Sequence, residues 1–335
     1  MRILLDGMGG DYSPVEVVKG AIKAAEEIKE TIAIIGPEKE IARLLKKNSC
    51  KADNIEIINA TEVITNCDAP AMAIKRKKDS TIVKGMRMLK DGEGDAFISA
   101  GSTGALLSGG LLILGRIRGI KRPAIAAWVP KIGKSGTTLL LDCGANVDSK
   151  PEYILQNGIM GSMFVQGVKG INDPSVGLLN IGAEPEKGDE LHKQAYDKLL
   201  NSSVNFAGNV EGRDVITTDL DVIATDGFSG NIFIKSSEGV ALAIMGRIKE
   251  KMTDGLAAKA GALLSYTKLK EVKKEFNYSE AGAAPILGLK APVLKLHGNS
   301  KARDFYYAII QAVPYVEKQV TEMITDAVNK NKKWF

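Results

Sequence analysis

Short apolar runs alternate with longer amphipathic stretches along nearly the whole chain, and this alternation limits the available folds. Candidate strands are Arg2–Leu5, Thr31–Ile35, Ile55–Ile58, Ala96–Ser99, Ala124–Val129, Thr138–Leu141, Val176–Asn180, Val204–Ala207, Val222–Ala224 and Val293–Leu296. Candidate helices are Pro14–Lys29, Glu38–Lys47, Ile82–Asp91, Thr103–Leu114, Glu152–Gly167, Asp189–Leu200, Asn231–Lys251 and Ala302–Asn329. Strand followed by helix implies crossover connections, hence a largely parallel sheet with helices on both faces. The expected architecture is a three-layer α/β/α, doubly wound unit spanning residues 1–335, with no internal repeat and no linker.

Composition narrows the class. The chain has 335 residues, 44% hydrophobic and 25% charged, which excludes disorder as the dominant state. Aromatics make up only 5%, too few for a base-stacking surface, and a net charge of +5 is too mild for a dedicated nucleic-acid binder. That charge favours anionic partners. Cys50, Cys67 and Cys143 form no CxxC pair, so neither a disulfide framework nor a zinc site is expected, and a reducing cytoplasm is. The N-terminus lacks a signal-peptide pattern. The longest near-apolar run, Gly104 to Gly115, falls short of the roughly 20 residues that span a bilayer. A cytoplasmic protein that at most touches a membrane from one side is the expectation.

The glycines carry more information than the totals. Gly-rich loops follow six candidate strands: Asp6–Asp11, Ser99–Ala105, Asp142–Asn146, Asn180–Gly188, Thr225–Asn231 and His297–Ser300. In a parallel sheet these loops emerge on one edge, at the carboxyl ends of the strands, where ligands bind. Glycine lets the backbone approach an anion, and a following helix N-terminus offers free N–H groups. The expected phosphate- and substrate-binding residues are Asp6, Gly9, Gly10, Ser102, Thr103, Gly104, Asn146, Gly182, Asp226, Gly227, Ser229 and Gly230.

Other motifs fail. Gly133-Lys134-Ser135 lacks the first glycine of a P-loop, because Trp128 stands there, and Gly7-Met-Gly-Gly is not a dinucleotide fingerprint. No spacing suggests a metal, so no cofactor is expected. The histidines are His192 and His297. His297 lies in a Gly loop and reads equally as a base, a phosphate ligand or a structural residue; His192 reads as a surface residue. Lys187 precedes a helix, where it would neutralise an oxyanion or phosphate, or simply be exposed. Asn231 would polarise a carbonyl or cap its helix. Asp6, Asp11, Asp142 and Asp226 read mainly as loop-orienting carboxylates. Cys143 reads as a small buried hydrophobe, with a covalent nucleophile as the rival reading.

Residues 241–276 depart from the alternation and read as two helices around an apolar tip bearing Leu256, Leu263 and Leu264, rimmed by lysines and Arg247. Such a hairpin suits shallow insertion into an anionic membrane face, or packing against another protein surface.

The ordered stretches DGMGGDYSP, SAGSTGA, GRIRGIKRPAI, DCGAN, NIGAEPEKG, GNVEGRD, DGFSGN, GAAPILGL and HGNS resemble the PlsX-type phosphate acyltransferase family across Asp6 to Ser300. Gly7 stands where that family usually has Ala, Ala183 replaces a common Glu, and Ala283 replaces a Gly. The resemblance implies transfer of a long-chain acyl group from acyl carrier protein to inorganic phosphate. The acyl phosphate would feed a glycerol-3-phosphate acyltransferase in phospholipid synthesis. It further implies a fold similar to isopropylmalate dehydrogenases and phosphotransacetylases, a homodimer, and peripheral membrane attachment through the hairpin. Lys187, Asn231 and, less directly, His297 become the expected catalytic residues, acting by direct attack of phosphate held at Ser102–Thr103. Arg116, Arg118, Lys121 and Arg122 become a candidate patch for the acidic carrier, or a plain solvated run. The competing readings are a phosphotransacetylase- or dehydrogenase-like enzyme on the same architecture, and a non-enzymatic membrane scaffold.

Overall fold

The computed structural model describes residues 1–275 and 282–334. The chain order is β1 Arg2–Asp6, α1 Val15–Ala25, β2 Thr31–Gly36, α2 Glu38–Lys47, β3 Ile55–Asn59, α3 Pro70–Arg76, α4 Thr81–Lys90, β4 Ala96–Ser99 and α5 Thr103–Gly109, which runs on as a π-helical turn over Gly110–Leu114. Next come β5 Ala124–Pro130, β6 Thr137–Leu141, α6 Pro151–Lys169, β7 Ser175–Asn180, α7 Glu190–Leu200, β8 Asn205–Glu211, β9 Val222–Ala224 and α8 Gly227–Met252. The chain ends with α9 Leu256–Leu264, α10 Tyr266–Glu275, β10 Ala284–Leu287, β11 Val293–Lys295, α11 Ala302–Glu317, α12 Val320–Lys330 and a short 3-10 turn.

The strands form an 11-stranded sheet in the order β3-β2-β1-β4-β11-β10-β5-β6-β9-β7-β8. Pairing is mostly parallel, as the alternation implies, but β10 runs antiparallel to β11 and β5, and β5 runs antiparallel to β6. The last pairing reverses the rest of the sheet, because β9, β7 and β8 continue parallel to β6. The carboxyl ends of β1, β4 and β11 therefore point to one edge, and those of β6, β9 and β7 to the other. The expectation of six loops on one edge is corrected to two sets of three. A β5–β6 turn over 131–136, closed by Lys131 N–H on the Gly136 carbonyl at 3.2 Å, is the cause.

Alternation of side chains along each strand splits the core into faces. Ala124, Ala126, Trp128, Leu139 and Leu141 pack with α1, α2, α6, α7, α11 and α12 on one face. On the opposite face Ile125 joins a cluster with α3, α4 and α5. Val129 and Leu140, on that same face, join a separate cluster with Ile234 of α8. The two covers thus meet over β5, and Ala127, between Ile125 and Val129, is only half-buried.

Several element boundaries differ from expectation. The expected helix Ala302–Asn329 is two helices, broken where Gln319 adopts a left-handed φ of 51°. The break turns Val320 onto α6, where Gly167 leaves no room for a Cβ. Helix α8 begins at Gly227 rather than Asn231, so Gly227, Ser229, Gly230 and Asn231 lie on its first turns rather than in a loop. The segment expected as two helices around a tip is three, with α9 forming the tip itself. Phe276, the last residue of that expected hairpin, lies outside the described residues. Helix α3 and strand β10 were not expected: α3 is only seven residues long, and β10 carries Pro285.

Candidate active site

Asp142, at the end of β6, organises the loop that follows. Its carboxylate accepts hydrogen bonds from the backbone N–H groups of Ile125, Gly144, Ala145 and Asn146 at 2.9–3.1 Å, and from Asn146 Nδ2 at 2.9 Å. Burial raises its pKa, and these donors oppose the rise. Asn146 Nδ2 also donates to the Pro123 carbonyl at 2.8 Å, so this expected ligand is spent on the loop's own structure.

The start of α8 packs directly on this loop. A Cβ on Gly230 would collide with the Asp142 carbonyl oxygen, and one on Gly227 with that of Asn146. Gly144 has a φ of +115°, and a side chain there would strike Asn231 Nδ2. The Asn231 amide therefore sits against bare backbone. Asp226 caps α8 by accepting from Phe228 N at 3.0 Å and Ser229 N at 2.9 Å. Although burial raises the Asp226 pKa, hydrogen bonds from His192 and Ser229 bring it down to about 2.

Lys187 lies in the loop between β7 and α7. Asn180 Nδ2 donates to the Lys187 carbonyl at 3.1 Å, and Asn209 Nδ2 to the Glu184 carbonyl at 2.7 Å, which fixes the loop at two points. The Lys187 stem passes over Gly182, and its ammonium end is exposed. His192 packs against Gly188 of this loop and is 14% exposed rather than on the open surface as expected. Its Nδ1 is 2.6 Å from Asp189 Oδ1 and its Nε2 3.5 Å from Asp226 Oδ2. Hence the Lys187 loop and the start of α8, with Asn231, are neighbours joined through one imidazole.

The other three loops form the second group. Asp6 accepts from Ser99 Oγ at 2.6 Å and Met8 N at 3.1 Å; its burial raises its pKa. The Asp11 N–H donates to the Gly298 carbonyl at 2.7 Å, beside Gly9 and Gly10. Ser102 caps Ala105 N at 3.4 Å, Thr103 is exposed, and Gly104 packs on Pro70. His297 is 75% exposed and 3.8 Å from Glu238 of α8.

Helix α8 links the groups, with Asn231 on Gly144 at its start and Glu238 near His297 farther along. At the His297 end lies a cavity of 140 Å³ lined by Ala127, Ile234, Glu238, Ala284, Lys295 and His297. At the other end Cys143 packs against both covers. Asn231 and Glu238 are seven residues apart, about 10 Å at the helical rise. Lys295 was not singled out in the sequence. Burial lowers its pKa to about 8, while the charges of Asp6 and Asp11 pull upward. Its place at the end of β11, two residues before His297, was the available signal. The structure thus brings Lys187, Asn231, Asn146, Gly182, Asp226, Gly227, Ser229 and Gly230 into one group. Asp6, Gly9, Gly10, Ser102, Thr103, Gly104 and His297 fall in the other.

Two chemical possibilities narrow here. The Cys143 thiol donates to the Leu140 carbonyl at 3.3 Å, and burial pushes its pKa well up, which opposes a thiolate nucleophile. Among the described residues no group of three His, Cys, Asp or Glu side chains is arranged to hold a metal ion. Among them, too, no helix is long and apolar enough to cross a membrane.

The family described as "Fatty acid synthesis protein" matches residues 1–323. A phosphate acyltransferase of Thermoanaerobacterium thermosaccharolyticum is 46% identical over 324 residues, covering 97% of this chain and 96% of the relative. One from Clostridium acetobutylicum is 46% identical over 326 residues, covering 97% and 98%. In structure the chain is similar to the EutD phosphotransacetylase of Staphylococcus aureus, with a TM-score of 0.63 at 15% identity and coverage of 96% and 94%. A phosphotransacetylase of Streptococcus pyogenes gives 0.63 at 19% identity, with the same coverage. These structural likenesses concern the fold. At such identity and coverage of its curated relatives, the chain belongs to the phosphate acyltransferase family of fatty acid synthesis proteins and is an acyltransferase.

Proposed function

We propose that the protein moves a long-chain acyl group from the thioester of acyl carrier protein to inorganic phosphate, releasing acyl phosphate and the free carrier. The observation that carries this reading is that one imidazole, His192, joins the loop of the exposed Lys187 to the start of α8, where the Asn231 amide is seated on bare backbone. A thioester is already an activated acyl donor and phosphate a competent nucleophile. The protein then has to align them and stabilise the oxyanion that forms. In this reading phosphate attacks the thioester carbon directly and the carrier thiolate leaves. Lys187 neutralises the attacking phosphate, and Asn231 Nδ2 donates to the carbonyl oxygen. The raised Cys143 pKa favours this route over an acyl-enzyme.

The second group of loops would meet the donor beside the His297 cavity. Asp6, Gly9, Gly10, Ser102, Thr103 and Gly104 would then contact the donor away from its reacting carbon, and His297 would assist binding. Arg116, Arg118, Lys121 and Arg122 are all exposed and would meet the acidic carrier. Leu256, Leu263 and Leu264, exposed at 87%, 79% and 90%, would dip into an anionic membrane where a glycerol-3-phosphate acyltransferase collects the product. A homodimer is part of the same reading. The direct test mixes acyl carrier protein thioester with phosphate and measures acyl phosphate. Its formation supports the reading; hydrolysis to free acid, or transfer only to coenzyme A, overturns it.

A further inference from the structure

His192 bridges two carboxylates on different elements. Its Nδ1 lies 2.6 Å from Asp189 Oδ1, at the cap of α7, and its Nε2 lies 3.5 Å from Asp226 Oδ2, at the cap of α8. Asp226 Oδ2 is buried without a hydrogen-bond partner of good geometry, and the long 3.5 Å approach of His192 Nε2 is its ion-pair contact. A neutral imidazole carries one N–H. With that proton on Nδ1 for Asp189, the Nε2 lone pair would face the Asp226 carboxylate. Only the imidazolium satisfies both.

We propose that His192, as its imidazolium, is a positioning residue that clamps the Lys187 loop to the start of α8 and so holds Lys187 and Asn231 in register. This rests on the reading of Lys187 and Asn231 given above. The clamp acts through short connections. Asp189 is two residues from Lys187, and Gly188 between them has no room for a Cβ against Asn180 and His192. Asp226 caps the turn that carries Ser229, two residues before Asn231. Asp189 and Asp226 are the charged groups that face the ring. On the elements packed against α7, Glu152 of α6 pairs with Lys198 at 3.3 Å, and Glu211 of β8 pairs with Arg213 at 3.1 Å. The two aspartates raise the His192 pKa, Asp226 first, while burial lowers it. The clamp is therefore complete below about pH 6.5 and opens as pH rises through the raised folded value.

Full-length wild type, His192→Gln and Asp189→Asn test this together. The expected result is that wild type outpaces His192→Gln in kcat about tenfold near pH 6, with the rates converging toward pH 9 as the clamp is lost. A wild-type advantage that is absent, or equal at both pH values, overturns the proposal. Two readouts need no activity. The His192 ring proton signal should titrate above the ordinary value of about 6.5 in wild type and lower in Asp189→Asn. Amide exchange over residues 181–189 should quicken in His192→Gln. Titration at or below the ordinary value, or unchanged exchange, overturns the clamp. If wild type makes no acyl phosphate, the functional reading fails, and these two readouts decide the clamp alone.

Discussion

Lys187 and Asn231 differ in what surrounds them, and their substitutions should differ too. Lys187 has an exposed head, so Lys187→Ala should fold normally and lower kcat by roughly two to three orders of magnitude, the cost of an oxyanion donor. Near-normal kcat would remove it from the chemistry. His192 makes a second, pH-dependent contribution, to stability. Its folded pKa is raised, so that contribution is complete below about pH 6.5 and is lost as pH rises through the folded value. Thermal melts of wild type and His192→Gln should accordingly differ most below about pH 6.5 and converge in alkali. Asp226 works the other way: its contribution holds above about pH 4 and fades as pH falls toward about 2. Lys187 was legible as a cation on a ligand-binding loop. His192 was not. It stands beside Lys193 on the first turn of an amphipathic helix, where a polar side chain normally faces solvent, and the carboxylate that turns it inward, Asp226, is far away in sequence.

Helix α8 and the β6 loop form one packed joint. Gly227 and Gly230 let the helix start touch the carbonyls of Asn146 and Asp142. Gly230→Ala should cost about 1–3 kcal/mol through overpacking and should reduce activity by shifting Asn231; equilibrium denaturation and rate assays read both. A neutral outcome in both would show that the joint has slack. On the other face Phe164 of α6 is fully buried between Trp128 and Tyr315, with ring centroids 5.8 and 5.1 Å away. Phe164→Ala should cost about 3–5 kcal/mol in the same denaturation measurement, with the sheet's helical cover loosened. Most strands were legible as short apolar runs, because they are buried on both faces, and most helices by an apolar stripe. The direction of a strand leaves no such mark. The reversal at β6 had one signal: residues 131–136 are too few for a crossover, which takes about a dozen or more.

Reversal of half the sheet divides the molecule's glycine loops between two edges. Had every strand after β5 run parallel to β1, all the glycine loops would crowd one edge. Instead they stand at both, with α8 running between Asn231 and Glu238 and two separate helical covers meeting over Ala127. The projecting α9 carries the exposed leucines well along the chain from either loop group. Leu263→Glu with Leu264→Glu should abolish flotation with anionic vesicles and leave turnover of soluble donor unchanged; retained flotation would count against the membrane contact. The central claim is that phosphate itself breaks the thioester. The measurement is carrier thiol release when a stoichiometric amount of enzyme meets acyl carrier protein thioester, first without phosphate and then with it. Direct attack predicts no release until phosphate is added, then one acyl phosphate for each thiol. Release of one thiol per enzyme before phosphate arrives would mean that the protein takes the acyl group first, and would contradict the account.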